Sequence, residues 1–431
     1  SIVLKLLFTA YSSTTIIILL AIAAAAYTIP GGLNSVIQTE VIQAVLLIIG
    51  SCLITYFAFD QLGGGWSTMM SSLDQMLADG SVNFGDRAAT GAYIPQTAEQ
   101  VFSVVRPSND EFMPWWGLIS GVALLGFYFW ANNQFMVQRV LGAKDLHHGR
   151  MGALFAGLLK LPVIFIMIVP GVLALLLFNT LDISGLNYPL ANGEMCASLT
   201  DCPNLTYPVL LFQLLPNGVL GLVVAGLLAA MMSSVSATFN SASTLVTMDF
   251  VKQLKPELSG KQLVRVGQIT TLVLVVLASA WVPFIERVSD SLWGYLQLVI
   301  AFTSPPVVAT FILGLFWKRS TSQGAFVSLL VGGGFAIFMI LSASFQWSPY
   351  INELHFLAKA NLLFLIAVVV NVVVSLLSGE PDAQKVLEYT YKRSFFNEET
   401  LQLKALPWYK NYRTLSIILL VITALFVGMF W

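Results

Sequence analysis

The feature that most constrains this chain is a series of long apolar runs, each about long enough to cross a bilayer. A hydrocarbon core about 30 Å thick takes about 20 mostly apolar residues per helical crossing. Such runs fall near residues 7–29, 36–61, 115–138, 149–178, 219–249, 263–286, 291–316, 322–345, 356–378 and 413–431, which predicts ten transmembrane helices. Apolar positions go all round most of them, as lipid on one face and protein on the other require. Period-2 alternation is missing, and stretches such as LAIAAAA (20–26) favour helices over barrel strands. Charge content agrees. A soluble chain carries about a quarter Asp, Glu, Lys and Arg, whereas these make up 10% of the 431 residues here, beside 57% hydrophobic residues. That balance excludes a soluble enzyme and a disordered chain. A net charge of −1 with no basic stripe excludes a nucleic-acid binder. Three cysteines do not make a disulfide scaffold, and three histidines without HExxH or CxxC do not make a common zinc site. The chain opens on Ser1, with no charged leader before its first apolar run. The expectation is that an N-terminal portion is absent.

Lysines and arginines fall unevenly between alternate connections. One side receives Arg139, Lys144, Arg150, Lys252, Lys255, Lys261, Arg265, Lys318, Arg319, Lys385, Lys392, Arg393, Lys404, Lys410 and Arg413. The other receives Lys5, Arg87, Arg106, Arg287 and Lys359. The basic side is therefore expected in the cytoplasm, which places both chain ends outside. The long outer loop 62–114 begins with three glycines, and a second, 179–206, carries Cys196 and Cys202. A disulfide between them and two free thiols both remain open. Asn204-Leu205-Thr206 fits a glycosylation pattern that matters only in a eukaryotic secretory pathway. Residues 379–412 interleave charges with Tyr389, Tyr391, Phe395 and Phe396, the pattern of an amphipathic segment lying on the membrane surface.

Polar groups inside spans carry the functional signal. In 219–249, Ser233, Ser236, Asn240, Thr244 and Thr247 recur at helical spacing and share one face, flanked by Ser234. Close helix packing and ion binding by hydroxyl oxygens both fit this stripe. Lys160 lies deeper than a snorkelling lysine reaches, which favours a wet cavity. Glu40 opens its helix at the cytoplasmic end, where a solvated interfacial carboxylate is the plain reading, and Gln297 is a lone mid-span amide. Ser304-Pro305-Pro306 is expected to interrupt the 291–316 helix, because two prolines remove two backbone donors.

Several segments then carry a family resemblance. YTIPGGLNS (27–35) with QTE (38–40), and GLFWKR (314–319) with Gly324-Ala325, resemble segments of sodium:solute symporters. NQFMVQRVLGAK (133–144), LKLP (159–162), LPNG (215–218) and the 232–249 hydroxyl run look like the sodium/glucose cotransporter branch. The similarity runs in order along nearly the whole chain. It implies an all-α polytopic membrane protein with a LeuT-type inverted repeat. Residues 1–61 would be the last two helices of the first repeat and 62–114 an outer loop. Residues 115–317 would form the five-helix second repeat, and 318–431 three accessory helices with the amphipathic segment at 379–412. About four N-terminal helices would be missing.

The resemblance further implies a sodium ion held by the Ala230 carbonyl with Ser233 and Ser234. A second sodium would use Glu40 and Ser236, but Ala237 stands where relatives place another hydroxyl. Lys160, Gln297, Gly126 and Trp130 match substrate-pocket positions, and Phe129 stands in place of a gating tyrosine. Gly126 and Ile300 depart from the polar residues of sugar carriers, which weakens discrimination for a hydroxylated ligand. The expected function is sodium-coupled import of a small polar solute, a sugar first, across a bacterial inner membrane, with no covalent chemistry and no nucleic-acid partner. Rivals are a non-sugar solute, a sodium-leak channel or sensor, and a membrane enzyme. The last is disfavoured, because no nucleophile–base pair or metal cluster is present. Oligomeric state is not legible in the sequence.

Overall fold

The computed structural model describes residues 2–8, 10–82, 91–177, 205–288 and 292–431. Cys196 and Cys202 lie outside the described residues, as does Asn204. Among the described residues the structure is helical, with one isolated bridge between Arg106 and Pro114 and no strand. In chain order the main helices are α1 (Ser13–Leu62), α2 (Trp66–Ala78), α3 (Trp115–Ile119), α4 (Gly121–Phe127), α5 (Gln134–Leu141), α6 (Leu146–Leu158), α7 (Val169–Leu177) and α8 (Thr206–Leu214). They continue with α9 (Asn217–Leu245), α10 (Gly260–Val288), α11 (Leu292–Phe316), α12 (Ser322–Phe345), α13 (Phe356–Leu377), α14 (Ala383–Tyr389), α15 (Arg393–Lys404) and α16 (Tyr412–Met429). Wider π turns occupy Tyr128–Asn132, Ile164–Ile168 and Val246–Val251.

Seven helices among the described residues are long and apolar enough to cross a membrane: Val36–Leu62, Asn217–Leu254, Gly260–Trp281, Leu296–Phe316, Ser322–Ala343, Phe356–Leu377 and Tyr412–Met429. Thr14–Ala26 and Ile164–Leu177 are apolar but shorter. The ten predicted spans therefore change in three places. The 7–29 run starts its helix only at the Ser12 cap, whose hydroxyl accepts from the Thr15 N–H. The 115–138 run breaks into α3, α4, a π turn and α5, because Ser120 and Asn133 both leave regular helical geometry and Asn133 caps α5. The 149–178 run is unwound at 159–162, up to Pro162. A count of apolar residues does not register such local breaks.

Two expected interruptions are absent. The backbone of α1 is helical through 27–35, where a joint between two helices is predicted. Pro30, Gly31 and Gly32 carry only local penalties, and the helical runs on either side propagate through them. Helix α11 likewise continues through Pro305 and Pro306. The Pro306 ring seats against α12, where a Cβ on Gly332 would lie 2.6 Å from Pro306 Cγ. A glycine there makes room for the proline and supports the helix from outside.

The chain forms two compact units, Ser1–Asn83 with Gln96–Val101 and Leu159–Leu292, and Phe84–Pro95 with Phe102–Leu158 and Trp293–Trp431. In the first unit α1 packs along α9. A Cβ on Gly226 would meet Leu46 at 3.2 Å, and one on Gly50 would meet Val223 at 3.2 Å, so small residues let the helices approach closely. Ala21 and Ala25 of α1, Phe239 of α9 and Val275 of α10 close the core beside them.

In the second unit α12 packs on α13, and Leu125, Ala301, Leu357 and Ala360 form a buried cluster. The amphipathic segment is built as α14 and α15, with Phe395, Phe396 and Leu401 exposed. It is anchored through Glu399. That carboxylate pairs with Arg150 of α6 and Arg413 of α16, both at 2.5 Å, and accepts from the Tyr412 hydroxyl at 2.7 Å. Burial alone would raise the Glu399 carboxyl, but hydrogen bonds from Tyr412, Arg413 and Arg150 hold it below the ordinary carboxylate range.

Candidate functional site

The hydroxyl face of α9 is the centre of the candidate ion site. Ala230, Ser233 and Ser234 stand at i, i+3 and i+4, the spacing at which a serine hydroxyl comes back toward the carbonyl one turn earlier. Ser233 is 6% exposed, whereas Ser234 is exposed. The pair straddles the edge of the packed interior, with one hydroxyl inside and the other facing out. One carbonyl and two hydroxyls give neutral oxygen ligands, which suit a hard monovalent cation entering from the open side.

Further along α9 the same residue types are used for packing. Ser236 is fully buried and its hydroxyl reaches Ala24 O at 3.5 Å, a carbonyl that also accepts from Thr28 at 2.7 Å. Ser243 donates to Gly267 O of α10 at 2.8 Å, and Thr244 to Asn240 O at 2.8 Å. Of the second-sodium residues, Ser236 thus faces α1, Glu40 lies half-buried on α1, and Ala237 is fully buried without a ligand atom to offer. The packing reading of the stripe is seen at Ser236 and Ser243.

Lys160 sits where the sequence predicts continuous helix, but the backbone there is unwound. Its carbonyl accepts a turn-type bond from Val163 N–H at 3.3 Å, and the residue is exposed. Lys160 thus sits at an interruption of an apolar helix, a recurring feature of transporters. Lys160 belongs to the first unit together with Glu40, Ala230, Ser233, Ser234 and Ser236.

Gly126, Phe129, Trp130 and Gln297 belong to the second unit. A Cβ on Gly126 would meet open space, and the π turn that follows carries Phe129 and Trp130 edge-to-face at 5.8 Å and 88°. Trp130 is 38% exposed, and Gln297 is half-buried on α11. Ile300 packs against the Leu125–Leu357 cluster, so the departure at that position has turned it into core.

Two polar groups were missed by the sequence reading. The side-chain oxygens of Gln43, one turn beyond Glu40, and of Asn132, at the end of the π turn, are buried without a hydrogen-bond partner. The criterion that selects Gln297, an amide inside an apolar run, would have found both.

Among the described residues, an all-helical structure with seven candidate spans and interrupted helices defines a polytopic membrane protein. A family model for the sodium:solute symporter family matches residues 2–332. The chain belongs to that family. It is 32% identical to sodium/glucose cotransporter 4 of Danio rerio over 416 residues, covering 93% of this chain and 60% of the relative. It is 33% identical to sodium/glucose cotransporter 1 of Mus musculus over 401 residues, covering 90% and 59%. The sodium/myo-inositol cotransporter of Bos taurus is 33% identical over 409 residues, covering 91% and 56%. The chain thus spans about 60% of the length of the first of these relatives. Among solved structures, a Na+-coupled sialic acid symporter in a substrate-bound outward-open state aligns with TM-score 0.64 at 22% identity, over 88% of this chain and 70% of that one. The fold is shared, and the expected all-α symporter architecture stands.

Proposed function

We propose that this chain forms part of a sodium-coupled symporter that imports a small polar solute, a sugar first, by alternating access. The observation that carries the reading is the Ala230–Ser233–Ser234 face of α9, half inside and half outside the packed interior. Sodium would bind as a co-substrate to those neutral oxygens, with Glu40 and Ser236 as a possible second set that Ala237 leaves incomplete. Lys160 in its unwound segment, and Gln297 with the Gly126–Trp130 segment, would contact the solute, with Phe129 as the inner gate. The 115–317 repeat and the 318–431 accessory helices would divide the chain as the family plan does. The basic connections would lie in the cytoplasm of a cell whose plasma membrane holds the protein, with the C-terminus outside.

A polyol is the second reading. A myo-inositol carrier is as similar in sequence as a glucose carrier, and Gly126 and Ile300 remove polar groups that a sugar carrier would use. The test is sodium-dependent uptake by the full-length protein in proteoliposomes, offered sugars, polyols, amino acids and carboxylates in parallel. Concentrative uptake of one class that needs inward sodium supports the reading. Steady sodium current without accumulation of any solute would replace it with a leak channel. Lys160→Met should weaken solute affinity at least tenfold, about 1.4 kcal/mol, with protein abundance little changed. Loss of folded protein with affinity preserved would make Lys160 structural.

A further inference from the structure

Helix α13 begins on a histidine whose two ring nitrogens are both committed. His355 Nδ1 accepts from the Leu357 backbone N–H at 3.2 Å and caps the helix. Nε2 lies 2.8 Å from the Glu111 carbonyl oxygen. A carbonyl only accepts and a backbone N–H only donates, so Nε2 must carry the proton and Nδ1 must be bare. The neutral Nε2–H tautomer is the single form that makes both bonds. The ring is also fixed edge-on to Trp116 of α3 at 5.4 Å.

This cap positions more than its own turn. Leu357 is fully buried against α3 and α4, where a Cβ on Gly117 or Gly121 would lie 2.5 or 2.8 Å from its side chain. Asn361, one turn on, donates to Ser120 Oγ at 2.8 Å. Helix α4 leads directly into Gly126, Phe129 and Trp130. The start of α13 therefore braces the wall that carries these residues.

The charged and titratable groups around the ring are few. Asp110 is 3% exposed and accepts from the N–H groups of Phe112 and Met113 and from Arg106. Tyr93 shares the field of Arg106 and Asp110. Glu111 offers its backbone carbonyl. Lys359, on α13, donates to Asn352 O at 3.1 Å, and Glu353 before the cap is exposed. Burial of the ring, and then Lys359, disfavour the imidazolium, while the Glu111 bond and Asp110 favour it; the balance lies below the ordinary histidine value of 6.5. With the folded value depressed, the cap is present at pH 6.5 and above and is lost as pH falls through the folded value, which lies below 6.5.

We propose that His355 is a positioning residue for the α3–α4 wall, and that it holds only as the neutral Nε2–H tautomer, which makes this wall acid-labile. A proton on Nδ1 would set two donors against each other and release the first turn of α13. The link to solute binding rests on the transport function proposed above; the acid-labile cap does not.

The experiment is hydrogen–deuterium exchange of amides 356–361 in the full-length protein in nanodiscs, corrected for intrinsic exchange, at pH 7.5 and 5.5. His355→Asn supplies a capping oxygen that is independent of pH. Exchange should rise at least threefold at pH 5.5 in the parent and stay level in His355→Asn. An equal change in both, or none in the parent, overturns the proposal. Solute affinity at the two pH values should follow exchange in the parent and not in the variant. PH-independent affinity beside pH-dependent exchange overturns the positioning role, whereas absence of sodium-dependent uptake at any pH overturns the transport reading and leaves the cap to the exchange data. Nitrogen NMR of His355 needs no variant: an Nε2–H ring at pH 7.5 is expected, and an Nδ1–H ring would sink the idea even if His355→Asn fails to fold.

Discussion

The α12–α13 pair and the hydroxyl face of α9 are built from the same small polar residues and use them differently. In α12–α13 the hydroxyls are committed to neighbours. Ser328 donates to Ala367 O across the pair at 2.7 Å, the Thr321 N–H donates to Ser375 Oγ at 3.1 Å, and Ser375 donates to Asn371 Oδ1 at 3.2 Å. Asn371, Ser328 and Ser375 are all fully buried. On α9, Ser236 and Ser243 reach neighbouring helices, while Ser233 and Ser234 sit at the rim, one buried and the other exposed. The lesson is that a hydroxyl in a membrane helix is glue when it faces a neighbouring helix through a gap closed by glycine. The proposed ligand pair differs in that one of its hydroxyls is exposed.

The largest effect should come from closing the gap in the packed pair. A Cβ on Gly324 would lie 2.0 Å from Ser375 Oγ and 2.9 Å from the Asn371 carbonyl oxygen, a backbone atom that moves only with its helix. Gly324→Ala should destabilise the second unit by about 1–3 kcal/mol, read as a lowered unfolding temperature in detergent. Unchanged thermal stability would mean the two helices do not pack as closely as described.

A smaller and opposite pattern is expected on α9. Ser233→Ala or Ser234→Ala should raise half-saturating sodium several-fold in the full-length protein, measured by uptake at varied sodium, with unfolding temperature nearly unchanged. If sodium dependence stays fixed in both variants while stability falls, the rim hydroxyls are glue as well and the contrast collapses.

The smallest effect is the control. Ser328→Ala removes one buried hydrogen bond and leaves the Ala367 carbonyl its helical partner, so a loss of about 1 kcal/mol in stability is expected. Half-saturating sodium should not move. A shift there would tie the packed pair to ion binding and blur the two uses.

Much of this was legible in the chain. The apolar runs fix a helical membrane protein, because each must bury its backbone polar groups within itself to lie in lipid. The i, i+3, i+4 spacing of Ala230, Ser233 and Ser234 puts three oxygens on one face whatever the surroundings. Leu125 and Ile300 read as apolar from their side chains alone.

What the tertiary structure decided is which polar residue meets which neighbour. Ser233 and Ser236 look alike in sequence, and only the approach of α1 makes one a packing contact. Pro305-Pro306 reads as a break, yet Gly332 on another helix accommodates the ring. The 149–178 run reads as one span, yet the backbone unwinds at 159–162 and Lys160 is exposed. The histidine that starts α13 gave no sequence signal, because Glu111 lies far from it along the chain. The physical reason is common to all four. Sequence sets what each residue can offer over one or two helical turns, but hydrogen-bond partners, the space left by a distant glycine and access to water are supplied by segments remote in the chain.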